Sequence, residues 1–300
     1  MVTTRGRAHE AFEIVTECVE RKVGVRTHLG NLKAWSSGGG SAPIVIHGIG
    51  PEVWTADKPD HLNGLVVLGT PLGKPAFVEA FVNDKIEAES KYVDKILKLE
   101  DIQCAWVMLS MSAVPRANHL IRMLPPSVSE SYAKRHDELL WCNFCKLFGV
   151  EDLQTDLLAR DIACSPGRLG GLGLRSATRS ARGAYWASWV NALPVINSKM
   201  PRIAEAVING FETGNFEGLA PDLLVLEAAG SDGSVHEAEL VRIEGVAKGM
   251  ALPTWREVLE GVTVPAPNEG VDPSEFDRGW HCLYCSLVET IYREHKILPL

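Results

Sequence analysis

The sequence predicts an α+β protein that is predominantly α-helical, in three parts. These are a small β/α block over residues 1–75, a helical region over 76–200, and an acidic region of helices and loops over 201–300. Three observations lead to this reading. From Pro75 onward, Phe77, Val78, Phe81, Val82, Ile86, Tyr92, Val93, Ile96 and Leu97 recur at helical spacing with charges between them. Ahead of them, Leu65 to Leu68 are consecutively apolar and break into Gly69-Thr70-Pro71-Leu72-Gly73, the pattern of a strand covered on both faces that ends in a tight turn. Charge marks off the last part: residues 203–300 hold 6 Lys/Arg against 17 Asp/Glu, and the rest of the chain holds 24 against 21.

The elements follow in order. Residues 8–23 read as an amphipathic helix with apolar Phe12, Val15 and Val19. Extended pieces are expected around Val23–Thr27 and Leu32–Trp35, then a Gly/Ser/Pro loop from Ser36 to Pro43, then the short apolar run Ile44-Val45-Ile46. The long helix after Pro75 gives way to a second apolar run, Ile102 to Met111, which ends before Pro115 because proline disfavours helix at the residue preceding it. Pro125-Pro126 closes the next helix. Ser127-Val128-Ser129-Glu130 has capping-box spacing and opens a helix that runs to Gly149, where glycine suits the position just past a helix end. Further helices are expected at 152–163, 177–192, 201–211 and 278–295, with loops and shorter elements over 213–276.

Composition narrows the class. Three hundred residues, 46% hydrophobic with mean hydropathy +0.01, are enough to bury a core. No uninterrupted apolar stretch approaches the roughly twenty residues that a membrane helix needs. No apolar secretory leader is visible after Met1, so the seven cysteines read as reduced thiols of a cytoplasmic or nuclear protein. A net charge of −8 argues against the whole surface binding nucleic acid. Basic residues do cluster in the middle, where Arg160, Arg168, Arg175, Arg179 and Arg182 face Asp161 alone. That cluster reads equally as a phosphate contact or as a solvated helix face.

Several short motifs occur in a recognisable order. They are Gly24-Val25-Arg26-Thr27-His28-Leu29-Gly30 with Trp35, the Leu68–Gly73 turn, Ala113-Val114-Pro115-Arg116-Ala117-Asn118-His119, Leu124-Pro125-Pro126-Ser127, Gly170-Gly171-Leu172-Gly173-Leu174-Arg175-Ser176-Ala177 and Ala184-Tyr185-Trp186-Ala187. In this order they resemble the C-terminal part of non-LTR retrotransposon reverse transcriptases, over roughly residues 3–195. The resemblance implies a palm-end remnant over 1–75, a thumb-like bundle over 76–200 and the acidic region beyond. Leu68, Gly69, Thr70, Pro71, Leu72 and Gly73 would then be the primer grip, pressing small residues and backbone against the primer's terminal phosphates. Arg116, Arg122, Lys134, Arg135, Arg168 and Arg175 would follow an RNA or RNA/DNA backbone, with ordinary surface charge as the competing reading. The family's Gly-Lys before the tryptophan is Gly30-Asn31 here, and the nearest ammonium is Lys33, which reads as well on a solvated strand face.

The resemblance also implies what this stretch lacks. The Tyr-x-Asp-Asp turn that holds two divalent ions in such polymerases has no match. Under the alignment Val2-Thr3-Thr4-Arg5 would follow just after it. The adjacent acids Glu100-Asp101, Asp137-Glu138 and Glu151-Asp152 fall in helices or helix starts and read as solvated faces. The expectation is a fragment of an RNA-directed DNA polymerase that is inactive alone, with no cofactor of its own and Mg2+ only for the intact enzyme. The alternatives are a helical protein-interaction scaffold derived from such an element, its acidic region meeting a protein partner, or a decayed copy.

Other chemistries fare worse. Cys142-x-x-Cys145 and His281-Cys282-x-x-Cys285 invite zinc, but both pairs fall in expected helices far apart in the chain. The Gly167–Arg175 stretch lacks the Gly-Lys-Ser/Thr ending of a phosphate loop, and no Gly-x-Ser-x-Gly elbow occurs. Trp186 and Trp189, three apart, could stack on bases but read better as core. The nine histidines show no His-Glu-x-x-His pairing and read mostly as surface or helix-end residues.

Overall fold

The computed structural model describes residues 8–25, 32–47, 49–50, 52–167, 170–214 and 235–262, with Tyr284 and Val288. It is predominantly helical, with one two-stranded antiparallel sheet among the described residues. In place of the three parts expected, contacts divide the chain into two units, Met1–Asp84 and Lys85–Leu300. The boundary falls inside a single helix, and described residues on both sides of position 200 share one core.

In the first unit, α1 (Ala8–Val23) forms as the apolar spacing predicts, yet Val15 and Val19 stay exposed. Around Ala34 the extended chain bridges Trp54 in parallel, through Ala34 N–H to the Val53 carbonyl at 2.8 Å and Thr55 N–H to the Ala34 carbonyl at 3.0 Å. A one-turn helix, α2 (Ile44–His47), brings Ile46 onto Val53, Trp54 and Ala56, a small apolar cluster that Leu32 and Trp35 flank. Strands β1 (Gly64–Val67) and β2 (Thr70–Gly73) follow, and then α3 (Pro75–Ile96), with proline at a first-turn position where its missing N–H costs no bond.

The second unit begins within α3. Asp101 caps α4 (Ile102–Met108) by accepting the Gln103 and Cys104 N–H groups, and these bonds hold its carboxyl below the usual range. Helix was expected to end ahead of Pro115. Instead the chain stays helical through a π turn (Leu109–Ala113) and a 3-10 turn (Val114–Ala117) into α5 (Asn118–Met123). The changes of pitch absorb the donor that Pro115 lacks. Burial of Leu109, Ala113, Val114 and Ala117 outweighs the steric preference at Val114, which remains in the right-handed region.

Helix α6 (Pro126–Phe148) ends at Gly149 in the left-handed conformation, as expected, but no capping box opens it. Pro126 takes the first position, and the Ser127 N–H and hydroxyl are bound by Glu237 from a distant helix. The region expected as one helix over 152–163 is a 3-10 turn at Glu151–Leu153 followed by α7 (Leu157–Cys164). Helix α8 (Ala177–Lys199) is the centre of the unit. Its Tyr185, Trp186, Val190 and Leu193 share a core with α9 (Pro201–Thr213), α10 (His236–Ala247) and α11 (Trp255–Leu259), where Phe211 and Trp255 stack with centroids 4.1 Å apart. The helix expected over 278–295 lies outside the described residues apart from helical Tyr284 and Val288, which join this core. A second core joins Val93 and Ile96 of α3 to α4, the π turn, α6 and α7.

The start of α8 corrects one reading. Asp137 of α6 is not a solvated acid but is buried, and its carboxylate accepts the Ala177 N–H at 2.7 Å, the Thr178 N–H at 3.0 Å and the Ser176 hydroxyl at 2.7 Å. Ser176 in turn accepts the Arg179 N–H, so three first-turn donors of α8 are satisfied, the Ala177 bond buried and the other two half-buried. Asp137→Ala should lower unfolding stability by about 1–3 kcal/mol, measured by urea denaturation, because the Ala177 N–H and the Ser176 hydroxyl stay buried without that acceptor. Residues 1–75, where the sheet has only two strands, should exchange their amides faster than α6 and α8 in native-state hydrogen exchange.

Candidate nucleic-acid interface

The primer-grip-like segment is a β-hairpin. Gly64 pairs with Gly73 and Val67 with Thr70, leaving Leu68 and Gly69 as a two-residue turn with φ +49° and +81°. Positive φ at both positions is the turn whose twist matches paired strands, and glycine suits the second. Leucine at the first is strained by about 1–2 kcal/mol. It is also 93% exposed, so no packing of its side chain compensates.

Two expectations about this segment are corrected. Thr70-Pro71-Leu72-Gly73 is a strand and not a turn, and among its glycines only Gly69 needs the left-handed region. Pro71 is tolerated in β2 because it sits opposite Val66, a position whose N–H in such a hairpin points away from the partner strand. The Leu65–Leu68 run is not covered on both faces either. Val66, Val67 and Leu68 are exposed, since two strands without a layer above them cannot bury both sides.

The hairpin's base is tightly built. A Cβ on Gly64 would come within 2.3 Å of the Phe77 ring of α3, and one on Gly73 within 2.5 Å of the Asn63 carbonyl oxygen. Buried Asn63 fixes the base to the apolar cluster: its amide donates to the Ala56 carbonyl at 2.9 Å, and its Oδ1 accepts the Trp35 indole N–H at 2.7 Å. Lys33 reaches the Glu52 carbonyl at 2.8 Å beside the Glu52–Lys58 ion pair, an arrangement of solvated charges.

In the second unit the candidate cations divide into two sets. Arg116 is exposed before α5, its guanidinium 4.7 Å over the Tyr92 ring, and Arg122 is half-buried on α5. Arg175 is exposed next to the cap of α8. None of these three makes an ion pair with a described acid. Lys134 is paired with Glu130 at 2.9 Å, and its neighbour Arg135 is half-buried on α6. Arg179 and Arg182 are paired with Asp161 at 3.4 Å and Glu244 at 2.9 Å, so part of the basic cluster is neutralised internally. Arg168 lies outside the described residues, as do residues 26–31 of the Gly24–Trp35 motif.

Trp186 is fully buried and so closed to a base, and half-buried Trp189 packs against the same core. Cys142 and Cys145 are free thiols on α6, and burial raises the pKa of Cys145. Among the described residues no three His, Cys, Asp or Glu side chains gather as a metal site, and the His281–Cys285 motif falls almost wholly outside those residues. No described helix is long and apolar enough to cross a membrane.

One polar cluster escaped the sequence reading. Glu89 of α3 is buried and accepts the Tyr132 hydroxyl at 2.6 Å, while its other oxygen meets His136 Nδ1 at 2.8 Å. The remaining nitrogen of His136 donates to the Val114 carbonyl at 3.3 Å. His136 is therefore not a surface residue. Burial, and then the Glu89 carboxylate, push the Tyr132 phenol well above its usual value, so it stays a donor. The available signal was the spacing: Tyr132 and His136 lie one turn apart on the face that also carries Leu140 and Phe144.

No protein-family model, curated protein or solved structure matches the chain. Glu89→Ala should cost about 1–3 kcal/mol in urea denaturation, because the buried Tyr132 hydroxyl and His136 Nδ1 lose their partner, and Tyr132→Phe about 0.5–1.5 kcal/mol.

Proposed function

We propose that these residues are the primer-grip and thumb-like part of a retrotransposon-type reverse transcriptase, holding an RNA or RNA/DNA duplex by its backbone and inactive as a polymerase alone. The observation that carries the reading is the Gly64–Gly73 hairpin, which presents an uncharged, exposed tip and runs directly into the long helix α3. A duplex end meets only backbone and small or aliphatic side chains there. The ordered motifs of the sequence support the same reading, and Arg116, Arg122 and Arg175, which make no ion pair with a described acid, supply cations for phosphate contacts made without base specificity.

The test is fluorescence anisotropy of a labelled RNA–DNA hybrid against the whole chain over about 50–200 mM salt. Three phosphate contacts give a log–log slope of about −3, and the triple change Arg116→Ala, Arg122→Ala, Arg175→Ala should flatten it and weaken binding at least tenfold. Absence of binding at low salt, or binding indifferent to the triple change, would leave the scaffold reading, which the internal pairing of Lys134, Arg179 and Arg182 favours. Mg2+-dependent primer extension by the chain alone would overturn the expectation that it is inactive.

A further inference from the structure

We propose that the outer face of α4 and of the turns after it docks an acidic amphipathic helix of a partner protein. Helix α4 is apolar on both sides. Its inner side carries Ala105, with Leu109 and Ala113 of the following π turn, all 1% exposed or less. Its outer side presents Cys104, Val107, Met108 and Met111 to solvent, with Met111 77% exposed. Those four positions follow the i, i+3, i+4, i+7 spacing of a seam that receives another helix. A helix apolar on two sides belongs in an interior, so the outer stripe is a packing surface that the described residues leave uncovered.

Charge decides what fits it. In a chain of net charge −8, no Asp or Glu occurs from Ile102 through Ser129, and that stretch contributes Arg116 and Arg122; the bordering acid, Asp101, is engaged in capping α4 at the Cys104 end of the stripe. Arg116 lies over Tyr92, whose hydroxyl shares a 2.7 Å hydrogen bond with the Ser112 hydroxyl, and Ser112 adjoins Met111. The Met111 end of the apolar stripe therefore has an exposed guanidinium near it, held over a ring. A helix with leucines in its seam and glutamates flanking them matches both features. Flexible methionines adapt to such a seam. The stripe itself has no aromatic face, so it offers a nucleobase nothing to stack on.

The probe is a fluorescein-labelled synthetic helix of about three heptads, leucine at the seam positions and glutamate at most others, titrated into the full chain. Its counterpart carries lysine for glutamate. Saturable binding of the glutamate peptide is expected, at least tenfold tighter than the lysine peptide and weaker at high salt. Met111→Asp should weaken it at least tenfold, and Arg116→Glu should weaken it while improving the lysine peptide. Both changes are at exposed sites, so unchanged thermal unfolding verifies the fold. Arg175→Glu should weaken hybrid binding and leave the peptide untouched, which separates this docking from the duplex reading. The proposal is overturned if the two peptides bind alike, if Met111→Asp has no effect, or if the face instead serves nucleic acid, anionic vesicles or a second copy of the chain. Sedimentation and competition with each of those distinguish them.

Discussion

The helical unit depends on one buried carboxylate. Asp137 projects from the middle of α6 into the start of α8, where the first-turn amides would otherwise lie in the interior without acceptors. A negative charge at that point is favoured by the helix dipole, and the contact fixes both the position and the direction of α8. The described helices C-terminal to it pack on α8: α9, α10 and α11 complete the core around Trp186, Phe211 and Trp255. Moving its first turn would move the platform on which those helices rest.

The same device recurs with different residues. Glu237 of α10 binds the N–H and hydroxyl of Ser127 in the first turn of α6, closing a circuit from α6 through α8 and α10 back to α6. Glu239, also on α10, accepts the Trp255 indole N–H at 2.7 Å and pairs with Arg242 through both oxygens. Glu89 holds Tyr132 and His136. An acidic chain thus turns Glu89, Asp137 and Glu239 inward, as acceptors for buried donors, while the Glu237–Ser127 bonds lie at the surface. Each is satisfied by two or more partners, the condition under which a buried charge is tolerable.

This inward use of acid shapes the outer surface. Where carboxylates pair with Lys134, Arg179 and Arg182, little positive field remains. Where acids are missing altogether, from Ile102 through Ser129, arginine stands beside exposed methionine and valine. The hairpin of the first unit is a third kind of surface, uncharged and aliphatic, its tip held in a strained conformation. Strain without packing to compensate it points to an external contact as its reason.

By itself the sequence determined the elements governed by local chemistry. Apolar periodicity marked α1, α3, α8 and α9, Gly149 marked the end of α6, and the Gly/Pro run after Leu68 marked a turn, which the structure narrows to Leu68-Gly69. Tertiary structure alone decided which polar groups lie inside. Asp137 and Glu138 are neighbours in the chain, yet one caps a helix forty residues away and the other faces water. His136 and Glu89 meet across 47 positions, and Glu237 replaces a capping box that Ser127 and Glu130 have the spacing to form. Helix continued past Pro115 for the same reason. Burial of side chains from several elements is a property of their assembly, and its free energy outweighs the tenths of a kcal/mol by which local propensities differ.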